Sequence, residues 1–163
     1  MKTLIQQLGT YAAYHRDRRN VMTHFVGIPM IVLAAAILLA RPSFEIVGTP
    51  MTPVQIVTTT LMVYYVLLDL RYGIAMGVLL QLCMAAALSV AKADQITWLA
   101  WGVGLFVLGW IIQFVGHIFE GRKPAFFDDL MGLAIGPLFV VAEAGFLLGL
   151  RRDVQQAIAA RPE

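Results

Sequence analysis

The sequence is poor in cysteine and in charged residues. Its single cysteine, Cys83, excludes a disulfide scaffold and a zinc site built from several cysteines. Charged residues make up only 13% of the 163 residues, against roughly 25% in a typical soluble domain. The formal net charge is +2, which excludes a nucleic-acid-binding module with a large basic surface. The shortage of charge also excludes an intrinsically disordered chain.

Hydrophobic residues are abundant and occur in long runs. They make up 60% of the chain, and the mean hydropathy is +0.77. A helix needs about 20 apolar residues to cross the hydrocarbon core of a membrane, and five stretches approach or reach this length. They are residues 21–40, 54–68, 72–91, 96–119 and 130–150. We therefore expect an all-α fold, a polytopic integral membrane bundle of about five hydrophobic helices, with residues 1–163 forming a single membrane domain.

The fifth stretch departs from a regular span. It contains Gly132, Gly136, Pro137 and Glu143. Glycine and proline inside a span favour a kink or a partly re-entrant segment. An acidic side chain inside a span is costly, so Glu143 is a candidate functional residue. Its structural alternative is an interaction with a basic side chain of another helix.

The lysines and arginines indicate how the chain is oriented in the membrane. Four of them precede the first stretch: Lys2, Arg16, Arg18 and Arg19. We therefore expect a cytoplasmic N-terminus, and a C-terminus whose side depends on whether the fifth stretch crosses. The compact sequence looks bacterial, which predicts a bacterial inner membrane with the site on the cytoplasmic side, or the endoplasmic reticulum in a eukaryote.

The three histidines of the chain are expected to meet at this membrane face. His15 and His24 precede or begin the first span, and His117 ends the fourth, which runs back to the same side. His15 and His24 are nine residues apart, which puts them on opposite faces of a continuous helix. They can share a site only if the helix breaks between them, and we expect the break around residues 17–20.

Three imidazoles with nearby carboxylates are a ligand set that suits Fe(II) or Zn(II). Gln113, His117 and Glu120 share one helix face because they are spaced i, i+4 and i+7. The candidate catalytic carboxylates are Glu120, Asp128 and Glu143, which would act as ligands or would orient the imidazoles. There are structural alternatives, because histidine is common at a membrane interface and Asp128 would also suit the N-cap of the fifth helix.

Two segments resemble the motifs of a known family of small membrane proteins. The first reads YHRDRRNVMTHFVGIP and contains Tyr14, His15, Asn20 and His24. The second reads WIIQFVGHIFEGRKPAFFDDL and contains Trp110, Gln113, Phe114, Val115, Gly116, His117, Phe119, Glu120, Arg122, Pro124 and Ala125. Gly136, Pro137 and Glu143 also fit the C-terminal region of this family. Over nearly its whole length the chain is similar to the 2-hydroxy fatty acid dioxygenase family, whose fungal member acts in phytosphingosine degradation.

The resemblance implies a function and a site. It implies α-oxidation, in which a long-chain 2-hydroxy fatty acid and O₂ give a fatty acid one carbon shorter, with Fe(II) as cofactor. His15, His24 and His117 fall on the family's motif histidines. The substrate would lie among membrane lipids with its carboxylate at the interface, and no nucleic acid is expected as a partner. The candidate substrate-binding residues are Arg16, Arg19, Asn20, Gln113, Arg122 and Lys123.

Two other functions remain open at this point. One is a different mononuclear metal-dependent lipid enzyme, either a hydrolase or a hydroxylase. The multi-histidine boxes of di-iron membrane desaturases are absent, and three histidines are too few for a di-iron site of that style. The other is a non-enzymatic membrane scaffold, in which the interfacial arginines only contact lipid headgroups.

Overall fold

The computed structural model describes residues 2–122, 124 and 129–160. These residues form seven α-helices and one short β-hairpin, so the predicted all-α membrane fold class is confirmed. The helices are α1 (Leu4–Ala12), α2 (Arg18–Ala40), α3 (Pro53–Leu68), α4 (Leu70–Val90), α5 (Gln95–Glu120), α6 (Gly132–Leu147) and α7 (Arg152–Ala159). The strands β1 (Phe44–Ile46) and β2 (Thr49–Met51) lie between α2 and α3 and pair antiparallel.

Three of these helices, α2, α4 and α5, are long and apolar enough to cross a membrane. α3 has only 16 residues, which at 1.5 Å per residue gives about 24 Å. α6 and α7 pass the same test only as a pair and are bent by 111° where they meet. The described part of the chain thus holds three spanning helices, or four if the bent pair forms one span. All five predicted stretches coincide with helices, but two of these helices are shorter than a full span.

The fifth hydrophobic stretch changes direction sharply at its end. α6 continues as a helix through Pro137, whereas Gly149 and Arg151 have φ angles of 74° and 50°. Left-handed residues such as these terminate an α-helix, so the chain turns sharply between α6 and α7. The sharp bend of this stretch therefore lies after α6, where α6 and α7 meet.

The chain divides into two compact units. They are Met1–Ile28 with Ile112–Glu163, and Pro29–Ile111. In the second unit Asp69 alone separates α3 from α4, and its side chain caps α4 by accepting a hydrogen bond from the Tyr72 N–H at 2.9 Å. Gly73 lies against Val66, where a Cβ would come within 2.6 Å of the Val66 Cα. The core of this unit contains Ile37, Ala40, Val54 and Ala87.

The first unit includes α1, an amphipathic helix that packs against α6 and α7. Thr3 forms a capping box with Gln6: its hydroxyl accepts the Gln6 N–H, and Gln6 Oε1 accepts the Thr3 N–H at 2.8 Å. The buried face repeats at helical spacing and consists of Leu4, Gln7, Leu8 and Tyr11.

A break separates α1 from α2. α1 ends at Ala12 and α2 begins at Arg18. The break that a shared site of His15 and His24 requires is therefore present, at residues 13–17, a few residues earlier than the predicted position.

Candidate metal centre

His15, His24 and His117 lie together in the first unit. One ligand nitrogen of each lies within 4.8 Å of those of the other two. All three are buried, with exposed fractions of 5%, 2% and 6%. His15 lies in the break before α2, His24 in the second turn of α2 and His117 in the last turn of α5. The structure brings these three predicted residues together although most of the chain separates His24 from His117.

Main-chain carbonyl groups fix the tautomers of His15 and His24. Their Nδ1 atoms lie 2.7 Å from the Tyr11 carbonyl oxygen and 2.8 Å from the Asn20 carbonyl oxygen, respectively. A carbonyl oxygen only accepts, so each Nδ1 carries a proton and donates it. In the neutral rings each Nε2 then presents a lone pair, and the two Nε2 atoms face each other at 2.9 Å. Two lone pairs this close repel unless a proton or a cation lies between them.

A metal ion suits this arrangement better than a proton. Burial is the largest influence on His15 and lowers its pKa to about 4, which disfavours a bridging proton at neutral pH. Two nitrogen ligands about 2.1 Å from one ion are about 3.0 Å apart when they subtend a right angle, close to the observed 2.9 Å. The buried Nδ1 of His117 has no hydrogen-bond partner among the described residues. The donor set therefore fits a divalent transition metal.

Two aromatic rings enclose the histidines on one side. The Tyr11 ring stacks on His15, with centroids 4.2 Å apart and an interplanar angle of 9°. The ring centroid of Phe139 in α6 lies 5.5 Å from that of His15 and 5.0 Å from that of Tyr11. Gly136, one turn before Phe139, makes room for the Tyr11 hydroxyl, because a Cβ there would be 2.9 Å from it. Sequence patterns singled out neither ring, although the i, i+4 spacing of Tyr11 and His15 is a signal for the first.

Glu120, the last residue of α5, lies beside the site with its carboxylate occupied by protein donors. It accepts the Arg16 N–H at 3.0 and 3.1 Å through its two oxygens, and the Asp17 N–H at 2.9 Å. Asn20, which is fully buried, donates from Nδ2 at 3.1 Å. Glu120 is a predicted catalytic carboxylate and Asn20 a predicted substrate contact. In the structure Glu120 binds the segment that leads into α2, and Asn20, in the first turn of α2, binds Glu120.

The other predicted arginines lie near the same break. Arg16 is exposed. Arg19 is paired with Asp17 at 2.7 Å. Arg122 donates from Nη1 to the Ala13 carbonyl at 3.4 Å. The guanidinium group of Arg19 is therefore already bound to a carboxylate of the chain.

The remaining predicted site residues differ in their placement. Gln113 is buried, 4% exposed, and its Oε1 has no hydrogen-bond partner among the described residues. Glu143 is partly buried in α6. Asp128 and Lys123 lie outside the described residues. Only Gln113 thus adds an unpartnered buried polar atom on the face of α5 that carries His117.

Comparison of the sequence with known proteins shows which family the chain belongs to. The family model described as 2-hydroxy-palmitic acid dioxygenase Mpo1-like matches residues 1–147, which include all three histidines. The 2-hydroxy-palmitic acid dioxygenase MPO1 of Saccharomyces cerevisiae is 35% identical over 150 residues, covering 90% of this chain and 82% of the relative. No solved structure gives a significant match. The family predicted from the two motifs is therefore confirmed, and the chain belongs to the Mpo1-like family of 2-hydroxy-palmitic acid dioxygenases.

Proposed function

We propose that the protein is an Fe(II)-dependent dioxygenase that shortens 2-hydroxy fatty acids by one carbon through α-oxidation. The observation that carries the proposal is the cluster of three buried imidazoles, two of which direct unprotonated nitrogens at one point. The yeast relative's name supports a 2-hydroxy fatty acid as the substrate class. Membership of a dioxygenase family supports O₂ as the second substrate.

In this proposal His15, His24 and His117 hold the iron. Three protein ligands leave coordination positions open, and bound Fe(II) supplies the reactivity toward O₂. The protein keeps two of the imidazoles neutral and oriented through their Nδ1–H groups. Tyr11 and Phe139 exclude water from one side of the cluster.

The proposed reaction balances without a separate reductant. R–CH(OH)–COOH and O₂ give R–COOH, CO₂ and H₂O. The C1–C2 bond breaks, C2 is oxidised to a carboxylic acid and C1 leaves as CO₂. All the electrons that reduce O₂ come from these two carbons, so a substrate labelled at C1 should release labelled CO₂.

The substrate is amphipathic, so its placement follows from the membrane. Its acyl chain lies along apolar helices, where each buried CH₂ contributes about 0.8 kcal/mol. Gln113 lies one turn before His117, and its buried Oε1 has no hydrogen-bond partner in the described part of the chain. We assign it to accept a hydrogen bond from the 2-hydroxyl group. Arg16 and Arg122, both exposed, attract the carboxylate at the interface. The role of Lys123 in substrate binding and the catalytic roles of Asp128 and Glu143 stay predictions.

Anaerobic reconstitution tests the function. Detergent-purified protein is stripped of metal, loaded with Fe(II), and given O₂ and 2-hydroxypalmitic acid, and the product mass is measured. We expect a fatty acid one carbon shorter. His117→Gln keeps a side chain of similar size but removes imidazole ligation, so it should insert normally and lose both iron and product. Cys83→Ala is the control and should keep both, because Cys83 lies in α4, outside the unit that holds the histidines.

The alternatives give different results. Full turnover by His117→Gln would refute the assignment of His117 as an iron ligand. Stoichiometric metal binding without O₂-dependent loss of C1 would indicate a different metal-dependent lipid enzyme, such as a hydrolase. A wild-type protein that takes up no stoichiometric metal would indicate a scaffold.

A further inference from the structure

The carboxylate of Glu120 has little capacity left for a metal ion. Both oxygens accept from the Arg16 N–H, and Oε2 also accepts from the Asp17 N–H and from Asn20 Nδ2. The two main-chain donors belong to the break directly before α2, where N–H groups have no partner within a helix and a negative charge is favoured. The Glu120 carboxylate therefore caps the segment that enters α2.

This cap connects all the segments that carry the histidines. Arg16 directly follows His15 in the break. Asn20, the third donor, uses its own carbonyl oxygen to accept the Nδ1–H of His24. Glu120 itself lies one turn after His117 on α5. One carboxylate therefore joins the break, the start of α2 and the end of α5.

We propose that Glu120 is a positioning residue, which holds the break between α1 and α2 so that the three imidazoles are preorganised for metal. This inference rests on the proposed function, because it takes the histidines as the metal ligands. It gives Glu120 a role other than the ligand or acid–base role expected from sequence. Without this cap, the break and its His15 would move relative to α5, and metal binding would have to order them.

The test compares Glu120→Gln with Asp17→Asn. Glutamine removes the charge and points an amide NH₂ at N–H donors, whereas Asp17→Asn removes a charge at the same turn. Asp17 caps α2 by accepting the Arg19 N–H at 2.8 Å, which asparagine also does, and it does not contact Glu120 through its side chain. Co(II) is the probe, because its visible absorption reports both occupancy and ligand set.

For Glu120→Gln we expect the Co(II) dissociation constant to rise about 10- to 100-fold, the usual effect of losing a group that orients metal ligands. The spectrum at saturation should remain that of the wild type, since the histidines are still the ligands. Asp17→Asn should bind Co(II) like the wild type.

Three outcomes would overturn the inference. An unchanged dissociation constant would mean that Glu120 does not position the site, even if the melting temperature falls. A changed spectrum at saturation would mean that Glu120 is itself a ligand. An equal loss of affinity in Asp17→Asn would mean that only surface charge matters. Failure of the wild type to bind Co(II) would instead refute the proposed function.

Discussion

Single side chains in this site are organised by hydrogen bonds that leave the reactive atoms free. His15 and His24 each donate Nδ1–H to the carbonyl group four residues earlier, so the main chain of the preceding turn orients each ring. Gln113 differs, because its buried Oε1 has no partner among the described residues. A buried acceptor without a donor costs about 1–3 kcal/mol. A bound hydroxyl group would recover this energy.

Gln113→Leu should weaken the discrimination between 2-hydroxypalmitic acid and palmitic acid. Leucine keeps a similar volume without an acceptor. We therefore expect the dissociation constant of palmitic acid divided by that of 2-hydroxypalmitic acid to fall about tenfold, equivalent to roughly 1.4 kcal/mol. The constants are measured anaerobically on Fe(II)-loaded protein of verified metal content. Gln81→Leu is the matched control, because Gln81 is exposed on α4 and its Nε2 contacts Met62 Sδ. A ratio unchanged by Gln113→Leu would rule out the assigned role.

Among the helices, the approach of α2 to α5 decides whether the histidines can meet. The contact is made at Gly116, where a Cβ would collide with Thr23 Oγ1 and lie 2.5 Å from Asn20 Oδ1. Glycine therefore lets the start of α2 lie directly on α5, next to His117. The same contact covers Asn20 Oδ1, which is buried without a hydrogen-bond partner among the described residues.

Gly116→Ala should separate the two helices and harm both folding and metal binding. We expect a loss of about 1–3 kcal/mol in unfolding free energy, as for other overpacked sites, and weaker Co(II) binding. Gly104→Ala on the same helix is the control, since nothing lies within 4 Å of its Cβ position. There alanine should stabilise the helix by up to about 1 kcal/mol. Thermal unfolding and Co(II) titration measure both effects, and equal behaviour of the two variants would contradict the close contact.

The whole molecule is a membrane protein whose long helices set the side on which each loop lies. α5 has 26 residues, about 39 Å at 1.5 Å per residue, enough to cross a hydrocarbon core of about 30 Å. Its two ends should therefore face opposite sides of the membrane. The end that carries His117 is the one predicted to be cytoplasmic.

Cysteine labelling in intact cells tests this orientation. In a Cys83→Ala background, cysteines replace Arg18, Lys92 and Arg122, all of which are exposed. We expect an impermeant thiol reagent to label position 92 in intact cells, and positions 18 and 122 only after permeabilisation. Labelling of 18 and 122 from opposite sides would contradict a single histidine site at one membrane face. The reverse sidedness at all three positions would keep the single site but place it outside.

The sequence by itself determined the membrane class, the location of the five hydrophobic helices and which three histidines lie together, because hydrophobic runs and short motifs are local properties. It also implied a helix break between His15 and His24. Only the tertiary structure decided that the break lies at residues 13–17, that Tyr11 stacks on His15, and that Glu120 binds main-chain N–H groups. The first and the last of these features depend on contacts between segments far apart in the chain. Their formation depends on side-chain volume and hydrogen-bond geometry where the segments meet, which spacing along the sequence does not encode.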